Sequence, residues 1–184
     1  YVHTVHIVKT DFVKNMPVDD GTVVECAGDI AGLVPIPPTV YDNCGTEIIP
    51  SAPEISDTPE CEGEVTYKWT YTDCTNNFSH VWTYTFTIDR TTPPEVLWRE
   101  IENGNTVECL ASAIPPWEIP KAISICGEEL TGELTSTVDY VNGEEATITC
   151  EGTRIYTYTY TDCSGLTSTW TFTYHIDDTH APTA

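Results

Sequence analysis

Trp82-Thr83-Tyr84-Thr85-Phe86-Thr87-Ile88 carries an aromatic or aliphatic residue at every second position, with threonine between. A period of two sends successive side chains to opposite faces of a strand, so the rings line one face and the hydroxyls the other. The stretch before it, Val65-Thr66-Tyr67-Lys68-Trp69-Thr70-Tyr71, keeps the same period, and both return later as Tyr156-Thr157-Tyr158-Thr159-Tyr160 and Trp170-Thr171-Phe172-Thr173-Tyr174-His175-Ile176. No stretch sustains a helical period. Thirty-one Thr favour strands, while thirteen Pro and eleven Gly interrupt helices, so the chain reads as all-β.

The return of the pattern is part of a longer repeat. Eight cysteines form two quartets, Cys26, Cys44, Cys61, Cys74 and Cys109, Cys126, Cys150, Cys163, related by offsets of 83, 82, 89 and 89. Around them Thr22-Val23-Val24-Glu25-Cys26 answers Asn105-Thr106-Val107-Glu108-Cys109, Tyr71-Thr72-Asp73-Cys74 answers Tyr160-Thr161-Asp162-Cys163, and Ile88-Asp89-Arg90-Thr91-Thr92-Pro93-Pro94 answers Ile176-Asp177-Asp178-Thr179-His180-Ala181-Pro182. A repeat of about 85 to 90 residues is too long for a solenoid unit and matches an immunoglobulin-like domain. We read two tandem modules, residues 1–91 and 92–184, joined by Thr91-Thr92-Pro93-Pro94, whose prolines keep the joint short and stiff. Residues 1–9 carry a strand-like pattern of their own, either the last strand of a preceding module or an added first strand.

Four cysteines per module suit either zinc or disulfides. Zinc ligands come as close pairs, whereas the intervals here are 18, 17 and 13 residues and then 17, 24 and 13, so disulfides and an oxidising compartment are expected. In a Greek-key sandwich the cysteine after the first strand and the one before the sixth lie at one end, and those of Asp42-Asn43-Cys44-Gly45 and Asp73-Cys74 lie in loops at the other. The expected pairs are therefore Cys26–Cys61, Cys44–Cys74, Cys109–Cys150 and Cys126–Cys163, two in each sandwich.

A Val-x-Cys strand, a Pro-rich segment, Asp42-Asn43-Cys44-Gly45, an aromatic-alternating strand ending in Thr72-Asp73-Cys74, and Ile88-Asp89-Arg90-Thr91-Thr92-Pro93 together resemble the hyalin-repeat-like, immunoglobulin-like modules. Such modules are strung along giant surface adhesins and secreted proteins of the Bacteroidetes, including the gliding-motility adhesin exported by the type IX secretion system. The second module departs from the pattern, with Ser124-Ile125 in place of Asp42-Asn43. The resemblance implies an extracellular, non-catalytic spacer or adhesive repeat, with neighbouring modules and surface polysaccharide as partners.

Charge sets further bounds. Seven Lys and Arg against twenty-nine Asp and Glu give a formal charge of −22, which argues against binding nucleic acid or an anionic membrane. No apolar run reaches the roughly 18 to 20 residues that span a bilayer, and no basic-then-apolar signal opens the chain. The start at Tyr1, with Met16 the single methionine, reads as a segment cut from a longer precursor.

Among site candidates, no cofactor is expected except calcium, for which Asp89, Asp177 and Asp178 stand at the junction positions and Asp42 with Asp73 in the loops of the first module. The ordinary reading of these acids is a solvated surface, with Asp73 and Asp162 bonding backbone amides in turns. Trp98 and Trp117 have no counterpart in the first module and are the candidates for a carbohydrate platform, the alternative function; core packing is their ordinary role. Threonines 66, 70 and 72 with 83, 85 and 87 would make a two-column hydroxyl face, repeated by 157, 159 and 161 with 169, 171 and 173. The five histidines are scattered, and no G-x-S-x-G, H-E-x-x-H or phosphate-loop pattern occurs, so no enzyme is expected.

Overall fold

The computed structural model describes residues 1–6, 8–97 and 103–179. The chain divides into unit 1, Tyr1–Arg90, and unit 2, Thr91–Ala184. Both are all-β, with short 3-10 turns as the only helical elements among the described residues.

Unit 1 contains β1 (Asp20–Val24), β2 (Val40–Tyr41), β3 (Glu47–Ile48), β4 (Glu54–Ile55), β5 (Gly63–Thr72) and β6 (Ser79–Ile88). Its main sheet runs β1-β6-β5-β4, and β2 and β3 form a separate hairpin. The alternation in β5 works as its sequence demands: Val65, Tyr67, Trp69 and Tyr71 are buried and Glu64, Lys68 and Thr72 exposed. These rings, with Trp82, Phe86 and Ile88 of β6, pack against Phe12, Ile30, Val40 and Ile48 from the facing layer. The Tyr71 hydroxyl donates to the Pro38 carbonyl at 2.6 Å, tying the Pro-rich segment down over the sheet.

The first strand pairs in parallel with the last, Thr22 beside Phe86 and Val24 beside Ile88. The two strands approach so closely at Gly21 that a Cβ there would lie 2.5 Å from the Thr85 carbonyl oxygen, and Gly104 holds the same relation to Thr173 in unit 2. At the other edge β4 is only two residues long, because Pro53 and Pro59 flank it. Ser51 and Ser56 complete that edge with side chains: their hydroxyls accept from the Thr70 and Thr66 amides at 3.1 and 3.0 Å.

Unit 2 contains β7 (Glu95–Val96), β8 (Gly104–Val107), β9 (Ala122–Ile123), β10 (Glu129–Leu130), β11 (Glu133–Val141), β12 (Glu144–Glu145), β13 (Gly152–Thr161) and β14 (Thr167–Ile176). The main sheet runs β12-β11-β13-β14-β8, with β10-β9-β7 as the smaller sheet. Its core repeats unit 1 ring for ring, from Tyr156, Tyr158 and Tyr160 to Trp170, Phe172 and Tyr174. The longer Cys126–Cys150 interval builds β11 and a tight hairpin into β12 at Asn142-Gly143, both with positive φ (53° and 85°), as a two-residue turn of this hand requires.

The cross-linking departs from the expectation of two bridges per module. Cys26 and Cys61 are disulfide-bonded in unit 1 and Cys126 and Cys163 in unit 2, one bridge each. Cys44, Cys74, Cys109 and Cys150 are exposed thiols. In unit 1 the Lys9 ammonium pairs with the Asp42 carboxylate, two residues from Cys44. In unit 2 Cys150 lines an open recess with Gly152, His175 and Asp177.

Candidate functional site

The top loops of unit 1 concentrate its charged chemistry. Asp42 opens a tight turn closed by Gly45 N–H donating to its carbonyl at 3.0 Å. Its Oδ1 accepts from the Cys44 and Thr46 amides at 2.9 and 2.8 Å, and its Oδ2 from Lys9 Nζ at 2.5 Å. Asp73 repeats the device in the next loop, accepting from the Thr75 hydroxyl at 2.5 Å and from the Asn77 and Phe78 amides at 3.0 and 3.1 Å. Both carboxylates are buried and both are satisfied by protein donors. Lys9 pulls the Asp42 carboxyl down to about 2, aided by the two amides, and the Thr75 hydroxyl does the same for Asp73 in direction.

Unit 2 keeps the turn while changing the residue. Ser124 stands where unit 1 has Asp42, and its hydroxyl accepts from the Glu128 amide at 3.1 Å, as Asp42 does from Thr46. Asp162 Oδ1 accepts from the Ser164 and Leu166 amides at 3.0 and 2.9 Å. The shared element is thus a side-chain-capped loop, which either an acid or a hydroxyl can build.

Asp42 and Asp73 accordingly serve as turn caps. Asp89, Asp177 and Asp178 are exposed, and the Asp89 and Asp177 amides donate to the Val24 and Val107 carbonyls at 3.0 Å, extending the parallel pairing of first and last strands. Among the described residues no group of three or more His, Cys, Asp or Glu is placed to hold a metal ion. Trp117 is 93% exposed, contrary to its ordinary role as core; the Pro-rich loop carries it outward while Ala113 and Pro120 are held by the Tyr156 and Tyr160 hydroxyls at 2.6 and 2.5 Å. Trp98 lies outside the described residues.

The two units pair these strands in the same register, Trp69 opposite Trp82 and Tyr158 opposite Trp170, so the threonine face differs because the residues at matching positions differ. In unit 2 Thr157, Thr159 and Thr161 stand directly opposite Thr171, Thr169 and Thr167. In unit 1 only Thr66 faces a threonine, Thr85, whereas Lys68 faces Thr83, Thr70 faces Val81 and Glu64 faces Thr87. A continuous hydroxyl array therefore belongs to unit 2 alone.

Several polar contacts lie beyond the sequence reading. Asn43 uses its amide to hold the Thr10 and Asp11 carbonyls at 3.0 and 2.9 Å, clamping the incoming chain to the top loop. Beside it His80 Nε2 meets Asp11 Oδ1 at 2.5 Å, while the Phe12 ring packs edge-on against the imidazole at 4.8 Å. In unit 2 Arg154 grips Asp139 with two bonds of 2.7 and 2.8 Å across the β11–β13 pairing. Only the Asn in Asp-Asn-Cys-Gly offered a local signal, since the other pairs are far apart in sequence.

The loop electrostatics set an acid dependence for unit 1. Asp42 has a folded pKa of about 2 against roughly 3.9 unfolded, so its contribution is complete above about pH 4 and disappears as pH falls through about 2. Lys9 is raised, chiefly by Asp42, so its contribution is complete below about pH 10.4 and is lost only in strong base. We expect the unit 1 melting temperature to be flat near neutral pH and to fall between about pH 4 and pH 2, with a shallower fall in Asp42→Asn. An unchanged acid slope in that variant would mean that the Lys9 contact contributes nothing in solution.

Against known proteins, the family model described as an HYR-like domain with 4 cysteines matches residues 14–88 and again 99–176. No curated protein matches the chain.

Proposed function

Since the chain belongs to the family of HYR-like domains with four cysteines, we propose that it is a non-catalytic spacer and adhesive segment of a large secreted cell-surface protein. The observation that carries this reading is duplication. One bridged β unit occurs twice, each with a ten-residue last strand paired along its length to the strand before it and in parallel to an early strand, β1 in unit 1 and β8 in unit 2. Repetition suits reach and multivalent contact, where weak contacts add if their spacing is held. The high negative charge would keep neighbouring filaments apart. A bridge in each unit fits an oxidising, extracellular setting, and among the described residues no helix is long and apolar enough to cross a membrane. The finer setting, a gliding-motility adhesin exported by the type IX system with neighbouring modules and surface polysaccharide as partners, rests on the motif resemblance.

The same reading includes four bridges. By the repeat, Cys26–Cys61 corresponds to Cys109–Cys150, and Cys126–Cys163 to Cys44–Cys74, so each unit has closed the bridge that the other leaves open. Both positions are thereby compatible with the fold. The remaining pairs close when an extracellular disulfide oxidant takes two electrons and two protons from each.

Stretching single molecules tests the mechanical role. The expected trace has two unfolding events, each lengthening only by residues outside the bridged loops until reductant is added. Extension at negligible force, or no change on reduction, would remove the load-bearing reading.

A second reading, binding of carbohydrate, is favoured by one feature, the exposed Trp117 ring on a Pro-rich loop. Glycan-array binding by the chain, lost in Trp117→Ala with the melting temperature unchanged, would establish it; an array without hits would dismiss it.

A further inference from the structure

Residues Tyr1-Val2-His3-Thr4-Val5-His6-Ile7 align without gaps with the last strand of each unit. Thr4, His6 and Ile7 are identical to Thr173, His175 and Ile176, and Tyr1, His3 and Val5 stand at the positions of the inward-facing Trp170, Phe172 and Tyr174. The likeness runs past the strand, since Lys9-Thr10 answers Arg90-Thr91 at the same distance from the isoleucine. In both units this strand is an inner member of the main sheet, antiparallel to one neighbour and parallel to the other, with its rings in the core.

Among its described residues the segment pairs with no strand. Residues 1–6 and 8 form no strand and are all exposed, with Tyr1, Val2, Val5 and Val8 at 121, 94, 81 and 79%. Unit 1 has filled the corresponding slot with its own β6, between β5 and β1. Just beyond them, Lys9 pairs with Asp42 of the body. An added first strand of unit 1 would instead show ladder pairing and buried alternate side chains.

We infer that Tyr1–Ile7 is a donor strand: it completes a further module of this type, entering between that module's counterparts of β5 and β1 with Tyr1, His3, Val5 and Ile7 inward. The occupant is a module of the same kind because the segment carries the period of that slot, its terminal isoleucine and, as in unit 1, the basic residue and threonine that follow. A segment with exposed apolar side chains and the period of a strand gains ladder hydrogen bonds and burial together on insertion. The inference rests on the tandem repeat and stands apart from the mechanical or carbohydrate readings.

The test extends the full chain. Residues 9–81, unit 1 without the body of its last strand, are placed directly before Tyr1, so that Tyr1 follows Val81 as Trp82 does in unit 1. Hydrogen exchange should then show a third protected unit, with the amides of residues 2–6 slowed at least a hundredfold relative to the unextended chain, where they exchange at free-peptide rates. Val5→Asp in the extended chain should abolish that protection and leave the two native units unchanged. Free exchange of residues 2–6 in the extended chain overturns the proposal, as does protection that survives Val5→Asp. Protection of the same amides in the unextended chain also overturns it, because unit 1 would then already be using the segment.

Discussion

Breaking one bridge is expected to cost its unit about 4 kcal/mol of unfolding free energy, with Cys61→Ser acting on unit 1 and Cys163→Ser on unit 2. The bridges Cys26–Cys61 and Cys126–Cys163 close loops of about 36 and 38 residues, and loop-closure entropy of the unfolded chain on that scale gives the figure. For domains whose whole stability is roughly 5 to 15 kcal/mol, the loss decides whether a unit is folded at elevated temperature. Urea titrations of the oxidised protein and the two variants, read by exchange at β5 and β13 amides, measure it. A loss below about 1 kcal/mol would place the stability in the aromatic core alone. Peptide mapping after alkylation without reductant should find no free thiol at Cys44, Cys74, Cys109 or Cys150; labelling at these positions would return each unit to the single bridge of the structure.

The other large effect is expected at the paired tryptophans. Trp82→Ala and Trp170→Ala should each destabilise the unit that holds the ring by about 3 to 5 kcal/mol, the usual range for emptying a buried indole site. Trp170 is 2% exposed and lies 5.8 Å from the Tyr158 ring; Trp82 is 5% exposed and lies 5.4 Å from Trp69. Trp82 also donates its Nε1–H to the Val18 carbonyl at 2.8 Å, so Trp82→Phe, which keeps a ring and loses the donor, should fall well short of the alanine effect. Trp117→Ala, at an exposed site, should change stability by less than about 0.5 kcal/mol. Equal effects at Trp82 and Trp117 would contradict the burial pattern.

Much of the fold was legible because it is written in short periods and in self-comparison. The alternation in Val65–Tyr71 and Trp82–Ile88 specified which side chains face the core before any partner strand was known. The offset between cysteine quartets placed the duplication, and both units carry aromatic cores built on the same two long strands. The capped turns at Asp73 and Asp162 followed from short acids preceding loop residues, a local property of those side chains.

What the chain alone left open was decided by distances between segments remote in sequence. Threonine content suggested hydroxyl columns in both units, yet once the strands pair, Lys68 faces Thr83 and Thr70 faces Val81 where unit 2 sets Thr157 against Thr171 and Thr159 against Thr169, so the array breaks in unit 1. Trp117 looked like core until the loop's path carried it outward. The state of each cysteine was likewise left to the tertiary structure, in which Cys26, Cys61, Cys126 and Cys163 are disulfide-bonded and Cys44, Cys74, Cys109 and Cys150 are exposed thiols. Sequence by itself determined that this is a duplicated β protein with aromatic cores, since strand period and repetition need no third dimension. Tertiary structure alone decided which surfaces, thiols and carboxylates are free to act, since register and loop position arise only when distant strands pack together.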